Sequence, residues 1–93
     1  QGEEGGPMIP FFLKVSSPEG DLFCSEAVRL SVRGTEGDLA VMAGHIPFVS
    51  YVKPCECKIE LEDGEEKIGR IESGILSVSK DKAILLVGAL SWI

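Results

Sequence analysis

The 93-residue chain has few of the residues on which catalytic, metal and nucleic-acid sites are usually built. It contains one histidine, three cysteines, one tyrosine and one tryptophan. Its longest apolar stretch, residues 83–90, is interrupted by a glycine and is far shorter than the ~20 residues of a membrane-spanning helix. Its nine cations form no cluster and are outnumbered by fifteen acids. Because phosphate affinity comes largely from clustered cations, these shortages argue against a nucleic-acid binder as well as a membrane span.

What is present is the composition of one small folded domain. Hydrophobic residues make up 44% of the chain, which is too much for a disordered protein. Residues 1–7 (QGEEGGP) have no apolar side chain to bury except the proline. We predict that residues 1–7 are a flexible tail, in part the remnant of a cleaved tag, and that residues 8–93 form the domain.

The cysteines indicate packing rather than chemistry. Their odd number argues against a disulfide framework, and no secretory signal is visible. Cys55 and Cys57 are two residues apart, so on a strand both point to one face, where they pack as small apolar side chains. The alternatives are a metal or redox pair at these positions, or a nucleophile formed by one cysteine with His45. Both lack supporting ligands or motifs, and we predict reduced thiols in an intracellular protein, with no catalytic, cofactor or metal residues.

Alternating polarity predicts strands. Residues 28–33 alternate between apolar and polar side chains, and residues 55–62 do so without an exception. Asp63 and Gly64 follow at once and predict a tight hairpin, because both residue types tolerate positive φ. Residues 65–72 are then the return strand, in which Gly69 marks a bulge.

Further short strands are predicted at residues 11–15, 22–24, 75–79 and 83–87. The continuous apolar run of residues 83–87 suggests a strand covered on both faces. Glycine and proline interrupt the chain every few residues and leave no segment with a helical pattern. We therefore predict an all-β fold of about eight to ten short strands, arranged as a two-sheet β-sandwich or a flattened barrel.

Several segments together resemble a known family. They are residues 18–23 (PEGDLF), 34–39 (GTEGDL), 44–47 (GHIP), 52–54 (VKP) and 73–74 (SG), in this order. This series resembles the N-terminal β-sandwich domain of the epsilon subunit of bacterial F-type ATP synthases. The chain departs from the family pattern at Ala43, where proline is usual, and at Cys55 and Ser73, where glycine is usual. The C-terminal helical hairpin common in the family does not follow Ile93, so we expect the first domain of a longer subunit or a naturally short one.

The resemblance implies a non-catalytic rotor subunit of a proton-translocating ATP synthase. Such a domain sits in the central stalk, binds the gamma subunit and the polar loops of the membrane c-ring, and couples rotation to ATP synthesis. It would be peripheral, at the cytoplasmic face of the bacterial inner membrane. The c-ring-facing loop would consist of Thr35, Glu36, Gly37 and Asp38. The gamma-facing residues would be Ser17, His45 and Ser50.

Simpler interpretations of these residues stay open. Glu36 and Asp38 are acids that a solvated turn also favours, and His45 is equally typical of a turn beside Gly44 and Pro47. The acids around the hairpin at residues 56–66 are most simply a soluble tip. A second function is a free-standing β-sandwich module that binds a peptide or a carbohydrate, which would need an aromatic platform built around Tyr51 and Trp92.

Overall fold

Ten strands make up the fold. The computed structural model describes residues 9–34, 37–44, 46–80 and 82–93, and this part of the chain contains no helix. The strands are β1 (Phe11–Ser17), β2 (Gly20–Ala27), β3 (Arg29–Gly34), β4 (Gly37–Val41), β5 (Phe48–Val52), β6 (Cys55–Glu60), β7 (Glu66–Ile71), β8 (Gly74–Val78), β9 (Lys82–Val87) and β10 (Leu90–Trp92).

The strands form two layers of five. The first sheet has the order β10-β7-β6-β3 with β4 on the far side of β3, and the second has the order β5-β8-β9-β1-β2. Strands β1 and β9 are parallel, and the other described pairs are antiparallel. Among the described residues the two layers are joined by one ladder pair, Gly34 of β3 with Val52 of β5. The predicted two-sheet β-sandwich is confirmed.

The core lies between the layers and takes alternate residues from each strand. The predicted inward set of β3 is confirmed, since Val28, Leu30 and Val32 are all buried. Cys57 and Ile59 of β6 are fully buried, while Cys55 and Leu61 pack against the core edge. Val41 and Ile71 add to the core from the first sheet, and the second sheet contributes Phe11, Leu13, Val15, Ala27, Val52, Leu76, Val78, Ala83, Leu85 and Val87.

The hairpin between β6 and β7 forms where Asp63 and Gly64 predicted it, but with a longer turn. The Leu61 amide donates to the Glu65 carbonyl at 2.8 Å, which leaves three residues in the loop. Gly64 alone among them has a positive φ, of 90°. Asp63 instead accepts a hydrogen bond from the Glu65 amide at 2.9 Å, so its role is that of an Asx turn rather than a left-handed residue.

The predicted bulge at Gly69 is wrong. Gly69 lies in regular register opposite Cys57. Its missing side chain instead makes room for β10, because a Cβ built there would lie 3.1 Å from Trp92 Cε3 and 3.3 Å from Leu90 Cγ. The sequence did not predict β10, since three residues are too few to show a period.

The prediction that residues 83–87 are covered on both faces is also wrong. Ala83, Leu85 and Val87 enter the core, but Leu86 is 50% exposed and Ile84 is half-buried on the outer side. The apolar run therefore reflects a strand with one packed face and one uncovered apolar face.

Other differences concern strand limits and unassigned strands. Strand β2 runs for eight residues where residues 22–24 were predicted, and β4 and β5 were not assigned from the sequence. The predicted tail (residues 1–7) and three predicted site residues, Thr35, Glu36 and His45, lie outside the described residues.

Candidate interaction surfaces

The outer face of the second sheet carries an uncovered apolar surface. It consists of Phe12 (37% exposed), Val49 (70%), Tyr51 (70%), Ile75 (40%) and Leu86 (50%), with half-buried Ile84 between them. Strand register brings these side chains together, because Tyr51 lies opposite Ile75 and Ile75 lies opposite Leu86. We call this set the apolar surface.

The apolar surface differs from scattered exposed hydrophobics. Tyr51, Ile75 and Leu86 lie in one row across three neighbouring strands, β5, β8 and β9, whereas Phe12 of β1 lies opposite Lys82, at the edge of the set. On the β1 side the apolar area ends at Lys14, which lies opposite Ile84 and pairs with Asp21 at 3.8 Å. Contiguous apolar area with a polar rim is typical of a protein-binding site, whereas single exposed apolar residues are ordinary.

The outer face of the first sheet is ionic. Four pairs of opposite charge lie on it: Arg33–Asp38 at 3.1 Å, Lys58–Glu66 at 3.2 Å, Arg29–Glu60 at 3.6 Å and Arg70–Glu56 at 3.8 Å. All three arginines of the chain are among them. We call this set the charged surface. An open groove of about 630 Å³ runs over it between Asp38 and Arg70.

The predicted c-ring-facing loop meets the charged surface at one end. Gly37 and Asp38 are the first two residues of β4, so this half of the predicted loop begins a strand. Asp38 is not merely solvated, because its carboxylate accepts a hydrogen bond from Arg33 Nε at 3.1 Å. Its side chain is nevertheless 80% exposed. That the loop faces a c-ring stays a prediction.

The two described gamma-facing residues both lie on the second sheet but are not neighbours. Ser17 ends β1, where its hydroxyl donates to the Gly20 carbonyl at 3.3 Å and accepts from the Glu19 amide at 3.2 Å. Ser50 lies on β5 and donates to the Tyr51 carbonyl at 3.1 Å. Two strands separate β1 from β5, so the serines are about 14 Å apart or more at the usual strand spacing. Their predicted role at gamma stays a prediction.

The cysteines have separate environments. Cys57 is fully buried, and burial raises the pKa of its thiol. Cys55 is half-buried, and its sulfur accepts a hydrogen bond from the Arg33 amide at 3.4 Å. Cys24 is exposed on β2, at the far edge of the other sheet. Within the described residues, no group of three or more histidine, cysteine, aspartate or glutamate side chains is placed to hold a metal ion.

The aromatic platform that a peptide- or carbohydrate-binding module would need is not assembled. Tyr51 lies on the second sheet and Trp92 on the first. Trp92 instead packs under Lys67, whose Nζ lies 5.2 Å from the ring centroid.

Comparison with known proteins identifies the fold's family. Residues 10–93 match the family model described as the ATP synthase delta/epsilon chain β-sandwich domain. The chain belongs to this family. The ATP synthase epsilon chain of Clostridium novyi (strain NT) is 34% identical over 82 residues, which cover 88% of this chain and 63% of that relative. The predicted family is thereby confirmed, and the chain spans less than two thirds of the length of this relative.

Solved structures show the same fold at lower identity. A chain of the Euglena gracilis mitochondrial ATP synthase, in a structure of its OSCP, F1 and c-ring, superimposes with a TM-score of 0.86 at 18% identity and covers 99% of this chain and 59% of that one. A chain of the Tetrahymena thermophila mitochondrial ATP synthase central stalk and c-ring gives 0.72 at 14% identity, covering 91% and 68%. Across the residues described here, no helix is long and apolar enough to span a bilayer.

Sequence reasoning missed most of the apolar surface of this family member. Tyr51 was considered for an aromatic platform, and Phe12, Ile75 and Leu86 were not considered as contact area. The signal that could have found them was the run of residues 83–87. An apolar outer face on a central strand that stays exposed among the described residues is typical of a protein-binding site.

Proposed function

We propose that this domain is part of a non-catalytic central-stalk (rotor) subunit of a proton-translocating F-type ATP synthase. It would lie at the cytoplasmic face of the bacterial inner membrane, bind the gamma subunit and the c-ring, and couple rotation to ATP synthesis. The family match over residues 10–93 supports the complex, and the apolar surface is the observation that carries the mechanism.

The two outer faces suit two different contacts. A partner that covers Tyr51, Ile75 and Leu86 removes apolar area from water, which favours a lasting attachment such as that to gamma. The predicted gamma-facing Ser17 and Ser50 lie on strands β1 and β5 of this sheet, and His45 is proposed with them. The carboxylate of Asp38, and that of Glu36 with it, would instead make polar contacts with the c-ring loops.

The test is binding to the gamma subunit from the same organism. We expect the 93-residue chain to co-elute with gamma, and Leu86→Lys to weaken binding roughly tenfold to a hundredfold, because burying a leucine side chain contributes about 1.5–3 kcal/mol. Ala40→Lys is the matched control, since it adds the same charge at an exposed strand position on the charged surface.

Two outcomes contradict different parts of the proposal. Separate elution of the unmodified chain and gamma at tens of micromolar would count against the stalk role. Binding of Leu86→Lys with unchanged affinity would leave the stalk role intact and exclude the apolar surface as the gamma contact.

A further inference from the structure

Three contacts converge on Arg33, next to the junction of the two sheets. Its amide donates to Cys55 Sγ at 3.4 Å, and its carbonyl accepts from the Lys53 amide at 2.9 Å. Its guanidinium Nε donates to Asp38 Oδ1 at 3.1 Å. The next residue, Gly34, forms the ladder pair with Val52 that joins the sheets. The amide and the carbonyl of Arg33 are therefore both held by the segment of residues 53–55, while its side chain reaches across to β4.

The partner of that side chain is much less constrained. Asp38 lies directly opposite Arg33 in the β3–β4 ladder, one pair before the end of the hairpin. Strand β4 is bonded to β3 alone among the described strands. The two side chains are 63% and 80% exposed, so water already competes with their ion pair. Exchange of Asp38 from Arg33 to another cation consequently needs no change in the core.

We infer that Arg33 is a specificity-determining residue of the hairpin: it holds the Asp38 carboxylate in the free domain and competes with a partner's cationic side chain for it. This inference rests on the proposed function, in which Asp38 meets the c-ring loops. The inference means that the Asp38 carboxylate is already bound by Arg33 when a partner approaches. A partner must displace an intramolecular arginine and also approach a like charge, so binding is weaker and more selective than the exposed acid alone would give.

The groove over the charged surface can receive the released guanidinium. Arg33 and Glu56 both line it, and Glu56 now pairs with Arg70 at 3.8 Å, a loose contact. Arg33 therefore has a second carboxylate within the same groove, and its release from Asp38 does not leave a charge without a counter-ion nearby.

The experiment measures affinity for the detergent-solubilised c-ring of the same organism with the intact chain and three variants. We expect Arg33→Gln to raise affinity about two- to fivefold, the range that matches an exposed ion pair. Asp38→Asn should lower it, and Arg33→Lys, which keeps a cation, should stay close to the unmodified chain. The main-chain contacts of Arg33 do not depend on its side chain, so these variants are expected to fold, which circular dichroism checks.

Lys58→Gln is the matched control. It removes one cation from the same surface, in the pair with Glu66 rather than with Asp38. An equal gain from Lys58→Gln and Arg33→Gln would mean that overall charge alone sets affinity, which overturns the inference. A loss of affinity in Arg33→Gln would overturn it too, because Arg33 would then contact the partner itself.

The same binding measurements distinguish a failure of the inference from a failure of the proposed function. If the unmodified chain and Arg33→Gln bind with equal affinity, the c-ring contact stands and Arg33 does not compete. If neither binds, the c-ring contact itself is contradicted, and the inference falls with it.

Discussion

The two sheets share one core and differ almost completely on their outer faces. The first sheet turns four ion pairs to the outside, with arginine or lysine opposite or diagonal to an acid. The second turns out mainly valine, tyrosine, isoleucine and leucine, beside Lys82 and the single ion pair of Lys14 with Asp21 at 3.8 Å. Since both inner faces are apolar, the two sheets differ in their outer faces and not in how they pack the core.

The contrast between the two sheets shows which side chains of a strand are determined by core packing. Packing decides alternate residues only, because successive side chains point to opposite faces. The outward residues are free to suit water or a partner. On β6 they are Glu56, Lys58 and Glu60, whereas on β9 they are Lys82 and the apolar Ile84 and Leu86. Apolar residues on the outer side of a central strand are therefore not explained by the packing of this core and are typical of a binding surface.

The largest expected effect separates the inside of the second sheet from its outside. Leu85 and Leu86 are neighbours on β9, with 0% and 50% of their area exposed. We expect Leu85→Ala to lower the free energy of unfolding by about 2–5 kcal/mol, because it removes core contacts and leaves a cavity. Leu86→Ala should lower it by less than about 1 kcal/mol. Chemical denaturation of the two variants measures both values.

A large loss of stability in Leu86→Ala would contradict the difference expected between Leu85 and Leu86. It would mean that Leu86 is packed in the absence of a partner, either against the rest of its own chain or against a second copy of it. Repeating the denaturation at several protein concentrations distinguishes the two, since a self-associated fold gains stability with concentration.

The sequence was sufficient for the features that depend on local pattern. Alternation at residues 28–33 and 55–62 gave two strands and their buried sides, and Asp63 with Gly64 gave the hairpin. The features it missed depend on distant residues. Gly69 reads as a bulge until Trp92 is found against it, and the apolar run of β9 reads as doubly covered until the layers are counted.

The candidate site was predicted less completely than the fold. The family motifs pointed to Asp38, but nothing in the local sequence indicates that Arg33 lies opposite it in the ladder and binds it. That pairing depends on the register of β3 with β4. The sequence does not determine this register, because it does not show how many residues form the hairpin loop. Ser17 and Ser50 were grouped by the resemblance, and only the strand order shows how far apart they are.

A second effect, of intermediate size, compares an inward cysteine with an outward one. Burial raises the pKa of Cys57 above its ordinary 9.0, because the thiolate is poorly solvated in the core. The folded thiol keeps its proton where the unfolded one loses it, so the contribution to stability is full below about pH 9 and is lost as pH rises through the folded pKa. We expect Cys57→Ala to flatten the alkaline decline by up to about 1.4 kcal/mol per pH unit.

The control is Cys24→Ala, on the exposed outer side of β2. It should leave the pH dependence of the unfolding free energy as it is in the unmodified chain. Denaturation between pH 7.5 and pH 10.5 measures all three proteins, and an unchanged slope in Cys57→Ala would show that this thiol is not the buried group that titrates.

The smallest effect concerns the charged surface. Glu60 and Glu66 face each other across the β6–β7 ladder, an arrangement of like charges that is unfavourable by itself. Each acid has a cation on a neighbouring strand, Arg29 at 3.6 Å and Lys58 at 3.2 Å. A double-mutant cycle of Lys58→Met and Glu66→Gln should give a coupling of about 0.2–1 kcal/mol that falls with added salt, because both side chains are partly exposed. A coupling of several kcal/mol that salt does not change would mean that this ion pair is shielded from water in the isolated chain, and the contrast between a hydrated charged face and an apolar one would then not hold.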